Sequence, residues 1–179
     1  MLTSVRRIVT GHNQDGKSVV LFDTQAGSVL ETAPGRGLTD LWVTDETPAQ
    51  NAGGADAADR PIRLEPPAGA SVFRFFQVAP MGAGEELDAK ERERRAEAAF
   101  AAMGAAHVRV DTARHPTMHK TATIDYIILI SGRVTLLLDE GEVALQPGDV
   151  VVQRGTNQEP NRLNERRARL SGGRPNAVD

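Results

Sequence analysis

The sequence predicts an all-β fold, a small antiparallel barrel with a polar mouth and one α-helix, and three observations lead there. Between His115 and Asn161, runs rich in Val, Ile and Leu are cut by turn signals at Ser131-Gly132, at Asp139 to Gly141 and at Pro147-Gly148-Asp149. From His119 onward, ligand-type polar side chains stand at alternate positions, the period that sorts residues onto the two faces of a strand. Only one stretch, Gly84 to Gly104, has a sustained helix-forming composition.

Taken in order, Ser4 to Thr10 and Ser18 to Phe22 are short β-type runs, and Asp15-Gly16 between them is a turn dipeptide, so they predict an N-terminal hairpin. His12 falls in that connection and reads as a solvated turn residue. Thr32 to Gly37 reads as a loop; its glycines lack the following helix start that a phosphate cradle requires. Leu38 to Thr44 predicts a strand carrying Trp42, the sole Trp, as a core or interface anchor. Residues 45–60 are acidic, small and broken by Pro and Gly-Gly, which predicts a mobile surface loop. Ser71 to Val78 is the most aromatic strand: alternation sends Phe73 and Phe75 to one face and Phe76 to the other, more apolar surface than one core face uses.

The helix is expected over about 85–103. Acids precede bases along it, Gly104 stops it, and Leu87, Ala96, Ala99, Phe100 and Met103 weight its apolar stripe toward the second half. Glu91, Glu93 and Glu97 interleave with Arg92, Arg94 and Arg95, the pattern of a salt-bridged surface rather than a nucleic-acid contact. His107 to Val110 resumes β structure. Ala168 to Ser171 is expected to close the fold, with Gly172-Gly173-Arg174-Pro175 ending the strand.

Composition narrows the function classes. The chain of 179 residues suits a single domain over 1–179 with a real core, as 40% apolar residues also argue. No apolar run has membrane-spanning length and the start lacks a secretory apolar stretch, which predicts a cytoplasmic protein without membrane contact. With no Cys, disulfides and thiol chemistry are excluded, leaving imidazoles, carboxylates, hydroxyls and amides. A formal charge of -3 gives no field for nucleic acid, and Arg162, Arg166, Arg167, Arg169 and Arg174 read as a solvated tail.

Parity places His119, Thr121, Thr123, Asp125, Ile127 and Leu129 on one strand face and Lys120, Ala122, Ile124, Tyr126, Ile128 and Ile130 on the other. With the first set inward, its polar members gather at one end of a barrel interior. His119 and Asp125 are then the candidate catalytic pair, a carboxylate holding an imidazole for acid/base work. Thr121, Thr123 and Ile127 are the candidate substrate-lining residues beside them.

This segment resembles the two sequence motifs of the cupin superfamily. Asp125, six intervening residues and then Gly132 fit the spacing of the first motif's carboxylate and glycine. On that template His119 matches the first metal-binding His and Asp125 the carboxylate ligand, while Thr121 stands where a second His is expected. Pro147 to Val152 and Gly155-Thr156-Asn157 resemble the second motif, with Gln158 at the third His position and Asn161 one residue early. The resemblance implies a double-stranded β-helix (jelly-roll) barrel with N-terminal strands and one helix, a motif core over 115–161, and a divalent ion (Fe, Mn, Ni or Zn) on His119 and Asp125. It adds Gln158 to the ligand-lining residues.

Three readings of function stay open. One is a small-molecule enzyme using metal or His119 acid/base chemistry. Another is a non-catalytic ligand-binding or sensing barrel, favoured by the substituted ligand positions. The last is a partner-binding subunit, for which Phe73 to Phe76 is the motive. Whichever holds, the aromatic surplus predicts a homodimer.

Overall fold

The structure, a computed structural model, describes residues 1–79, 87–161 and 168–175. Its strands are β1 (Arg6–His12), β2 (Ser18–Gln25), β3 (Ser28–Ala33), β4 (Arg36–Thr44), β5 (Ser71–Val78), β6 (Ile124–Ser131), β7 (Val134–Leu138), β8 (Glu142–Leu145), β9 (Val150–Arg154), β10 (Gln158–Asn161) and β11 (Ala168–Pro175). Helix α1 spans Ala89–Ala102, and a 3-10 turn follows at Ala106–Val108.

Three sheets result: β1-β2 alone, β10-β7-β8, and β3-β4-β5-β11-β6-β9. His119 extends the second sheet through an isolated antiparallel bridge to Gln158, the first residue of β10. One layer is therefore β5-β11-β6-β9 and the other is His119, β10, β7, β8, the strand order of a double-sheet jelly roll. A core of Val78, Ile127, Leu129, Val134, Leu136 and Leu145, drawn from both layers, fills the space between them.

Burial follows the expected parity. His119, Thr121, Thr123, Asp125, Ile127 and Leu129 are all buried, and Lys120, Ala122, Tyr126, Ile128 and Ile130 are all exposed. On β5 the same rule turns Val72, Arg74 and Val78 inward and leaves Phe73 48% exposed.

The helix forms where expected, for identifiable reasons. The Asp88 side chain accepts the Glu91 N–H at 2.8 Å as the N-cap. Arg94 and Arg95 both bind the Glu91 carboxylate and hold it well below the usual range, at about 2. At the other end Gly104 takes φ +65°, a conformation that favours glycine, and the Ala105 N–H reaches back to the Phe100 carbonyl at 2.8 Å. Phe100 and Met103 pack with Leu64, Ala105 and Val108 against Leu30 and Leu38, so the second half of α1 docks on the body of the fold. The first observed helical residue is Ala89; the expected start near 85 lies outside the described residues, as do Arg162, Arg166 and Arg167.

Some expectations need correction. His107 to Val110 is not a strand, because a 3-10 turn fills Ala106–Val108 and buries Val108. Thr32 to Gly37 is a tight turn at Pro34-Gly35 between two strands, Gly35 taking φ +74°, and the unforeseen β3 precedes it. Gly172-Gly173-Arg174-Pro175 does not end β11: the strand runs on through Pro175, paired with β5 on one side and β6 on the other. Within 45–60, Arg7 bonds Asp56 with one contact at 2.9 Å, Arg60 bonds Asp45 at 2.6 Å and Ala58 is buried, while residues 45–55 are exposed. No helix among the described residues is long and apolar enough to cross a membrane.

Candidate functional site

The site begins with a backbone pairing. His119 donates its N–H to the Gln158 carbonyl at 3.1 Å, and Gln158 returns the bond to the His119 carbonyl at 3.0 Å. Residues paired this way stand directly opposite, with side chains about 5 Å apart on one face. Here the Gln158 amide nitrogen meets His119 Nε2 at 3.3 Å.

The rest of the imidazole is equally constrained. Nδ1 lies 3.0 Å from the Thr117 carbonyl, which can only accept, so the proton of the neutral ring sits on Nδ1. Nε2 is then a bare lone pair that accepts from the Gln158 amide. Phe100 of α1 sets its ring edge-on to the imidazole, with centroids 5.1 Å apart and planes at 62°.

Beside this pair lies a cavity of about 90 Å³ between the barrel and α1. A single water needs ~10–15 Å³ on this measure, so the space suits several waters or a small organic molecule. Leu38, Leu64, Phe76, Phe100, Met103 and Ile127 form its apolar walls. His119, Gln158, Glu159, Arg36, Arg74 and Gln77 supply its polar groups.

The charged groups come in pairs. Glu159 is only 1% exposed and takes Arg36 Nη2 at 2.6 Å. Arg74, also 1% exposed, binds Asp40 through two bonds of 2.9 and 3.1 Å and reaches the carbonyls of Arg63 and Leu64. Asp40 and Arg74 are register partners on β4 and β5, so the sheet itself brings them together. Near Glu159, burial holds the His115 imidazole below its ordinary value; the Glu159 carboxylate opposes this, and Arg36 and Arg92 add to it.

Of the residues singled out from the sequence, His119, Ile127 and Gln158 line the cavity. Thr121, Thr123 and Asp125 form a separate buried file: Thr121 Oγ1 lies 2.8 Å from Thr123 Oγ1, and the Thr123 hydroxyl donates to Asp125 Oδ1 at 2.7 Å. The turn at Gly155 closes over that file, its N–H donating to the Thr123 carbonyl at 3.1 Å. Arg36, Glu159, Gln77, Arg74 and Phe100 were not foreseen as cavity residues. The available signal was a lone charge inside each of two apolar strands, Asp40 in Leu38 to Thr44 and Arg74 in Ser71 to Val78.

The residues present do not fit the divalent ion that the motif resemblance implies. The lone pair of His119 that would bind an ion already accepts from Gln158, while Thr121 and Gln158 at the other ligand positions are weak neutral donors. Among the described residues no group of three or more His, Cys, Asp or Glu side chains is placed to hold a metal.

No protein-family model matches the chain. The phomopsin biosynthesis cluster proteins C′ and D of Diaporthe leptostromiformis are each 30% identical to it over 165 residues, covering 87% of this chain and 69% of theirs. Among solved structures, the cupin domain of Schizosaccharomyces pombe Cnp3 aligns with a TM-score of 0.46 at 9% identity, over 96% of this chain and 88% of that one. The Clostridium difficile EutQ protein aligns with a TM-score of 0.44 at 11% identity, over 94% of each chain.

Proposed function

Because the chain belongs to one family with the phomopsin biosynthesis cluster proteins C′ and D, and its motifs resemble those of cupins, we propose that it binds a small organic molecule in the cavity beside His119. One observation carries this reading: the imidazole nitrogen that would serve a metal is clasped by the Gln158 amide on the wall of a largely apolar cavity. A largely apolar pocket with a few placed polar groups is the usual form of a small-ligand site.

A second reading makes the chain an enzyme. Its motive is the Thr117 carbonyl, which fixes the tautomer so that Nε2 is the basic nitrogen. A substrate that displaced the Gln158 amide would meet a neutral general base already oriented. The relatives are named for phomopsin biosynthesis, and a biosynthetic step for this chain accords with that reading.

Ala99 of α1 lines the cavity, so Ala99→Phe fills it from the helix side. In a thermal-shift screen, ligands are expected to raise the midpoint of the wild-type protein, by the mass-action stabilisation of about 2.7 kcal/mol at a hundred times Kd. The same ligands should leave Ala99→Phe unmoved. Equal responses in both proteins would place binding elsewhere and defeat the proposal. For any compound that is turned over, His119→Gln should remove turnover and keep binding; unaltered turnover would remove the enzymatic reading.

The homodimer is also proposed, through the outer face of the large sheet. Phe73, Gly173, Tyr126 and Val152 form one row across β5, β11, β6 and β9, with Ile128 and Val150 paired in the next row. Phe73, Tyr126, Ile128, Val150 and Val152 are each at least 43% exposed. Uncovered apolar faces of this kind are usually interaction sites. Phe76, by contrast, lines the cavity. Light scattering at micromolar concentration should give twice the monomer mass, falling to monomer in Tyr126→Asp; a wild-type monomer would exclude the dimer.

A further inference from the structure

We infer that the cavity takes a small organic acid, with its carboxylate on the Arg36 guanidinium at the mouth and its apolar part between the barrel and α1. The inference rests on the cavity being a ligand site, as proposed above, and names the class of compound that the site takes.

Among the charged side chains that line the cavity, Arg36 alone is not buried: its side chain is 34% exposed, against 1% for Glu159, and Arg74 and His119 are buried as well. It therefore marks the open side. From within, Glu159 Oε1 accepts from Arg36 Nη2 at 2.6 Å and anchors that corner of the guanidinium. Arg36 Nε and Nη1 donate to no group among the described residues, and neither is sealed from solvent. Arg74 differs, spending all three nitrogens on Asp40 and on the Arg63 and Leu64 carbonyls. A guanidinium with one corner held and its other donors open is suited to a carboxylate, which it can bind through two parallel N–H bonds.

The surroundings of Arg36 favour an anion too. His115 borders the cavity through Thr117, whose hydroxyl lies 2.8 Å from its Nδ1. Burial holds that imidazole below its ordinary value, and after burial the charges acting on it are Glu159, Arg36 and Arg92. Two guanidiniums thus stand against one carboxylate. Arg92 lies on α1 two turns before Ala99 and Phe100, which line the cavity, so it shares their face of the helix. It is exposed, and its side chain has no hydrogen-bond or ion-pair partner among the described residues, whereas Arg94 and Arg95 share Glu91. Its positive charge is free to draw an anion toward the mouth.

The same placement disfavours an amine. Glu159, the acid among the lining residues, is engaged behind Arg36, so an entering ammonium would meet the guanidinium first. A carboxylate on Arg36 stays at the half-open rim and keeps part of its hydration, which lowers the cost of binding a charge. Its tail then meets Leu38, Leu64, Phe76, Phe100 and Ile127, walls that suit a branched aliphatic or aromatic group.

The test uses isovalerate, isovaleramide and isoamylamine at millimolar concentration, with affinities from titration calorimetry on the full chain. Isovalerate should bind at least about tenfold more tightly than the amide or the amine. Arg36→Met alone would strand the buried Glu159 carboxylate, so the paired change Arg36→Met, Glu159→Gln removes both charges together, with circular dichroism confirming its fold. This double variant should bind the amide as the wild-type protein does and lose the preference for the acid. Arg92→Met, at an exposed position, should weaken isovalerate several-fold and leave the amide unchanged. If none of the three probes binds, the ligand-site reading falls and this inference with it. If the amide or the amine binds as tightly as the acid, or if the folded double variant keeps the full preference, the cavity still binds ligands but its selection of an acid through Arg36 is refuted.

Discussion

Asp40→Leu should lower the unfolding free energy by about 3–5 kcal/mol in urea denaturation, the usual cost of leaving one partner of a buried ion pair uncompensated. Asp40 is 3% exposed and Arg74 1%, and they meet across the β4 and β5 register through two hydrogen bonds. Arg74 also ties the Arg63 and Leu64 carbonyls to the sheet, so a guanidinium without its carboxylate would strain the connection leading into β5. The double variant Asp40→Leu, Arg74→Met should recover much of the loss, since apolar replacement of both partners removes the charge as well as the bond. A single-variant loss below about 1 kcal/mol would mean that water reaches the pair and that this wall of the cavity is not dry.

Phe100→Ala should cost a comparable ~3–5 kcal/mol, the range for emptying a buried aromatic site. Phe100 joins the core beneath α1 to the cavity: it packs with Leu64 and Met103, sets its edge on the His119 ring and carries the Arg109 guanidinium 5.9 Å from its centroid. Removing it should therefore also enlarge the cavity and admit bulkier ligands than the wild-type protein does. Urea denaturation measures the first effect and a size series of ligands the second. A stability loss under ~1 kcal/mol would show that the site collapses without cost, and that α1 is held by other contacts.

The alternation from His119 to Leu129 is legible in the sequence because each of those residues obeys the two-residue period of a strand whose one face is buried. The helix is legible too, since Asp88 and Gly104 are local signals that need no tertiary context. β11 defies its local signals for the opposite reason. Gly172 and Gly173 have poor strand propensity, yet a strand with neighbours on both sides is held by two ladders, which override local preference. The cavity is the least legible feature. Arg36 and Glu159 are separated by 123 positions, and only the folded chain closes that distance. Likewise, Gln158 in a ligand position of the motif says only what is absent from the sequence. Its hydrogen bond to His119 emerges once the backbone bridge sets the two side chains opposite each other.

The place of β11 between β5 and β6 also bears on how the protein is made. On the ribosome the chain emerges in order, so any half-sheets that β3-β4-β5 and β6-β9 form at that stage lack the strand that joins them. Each half presents an open edge, β5 on one side and β6 on the other, with unpaired amides and carbonyls able to capture a stray strand. Completion waits for a late segment to slide between two earlier ones, a step dominated by distant contacts and therefore slow. Nascent chains stalled before Ala168 should be the species that chaperones hold and that aggregates contain.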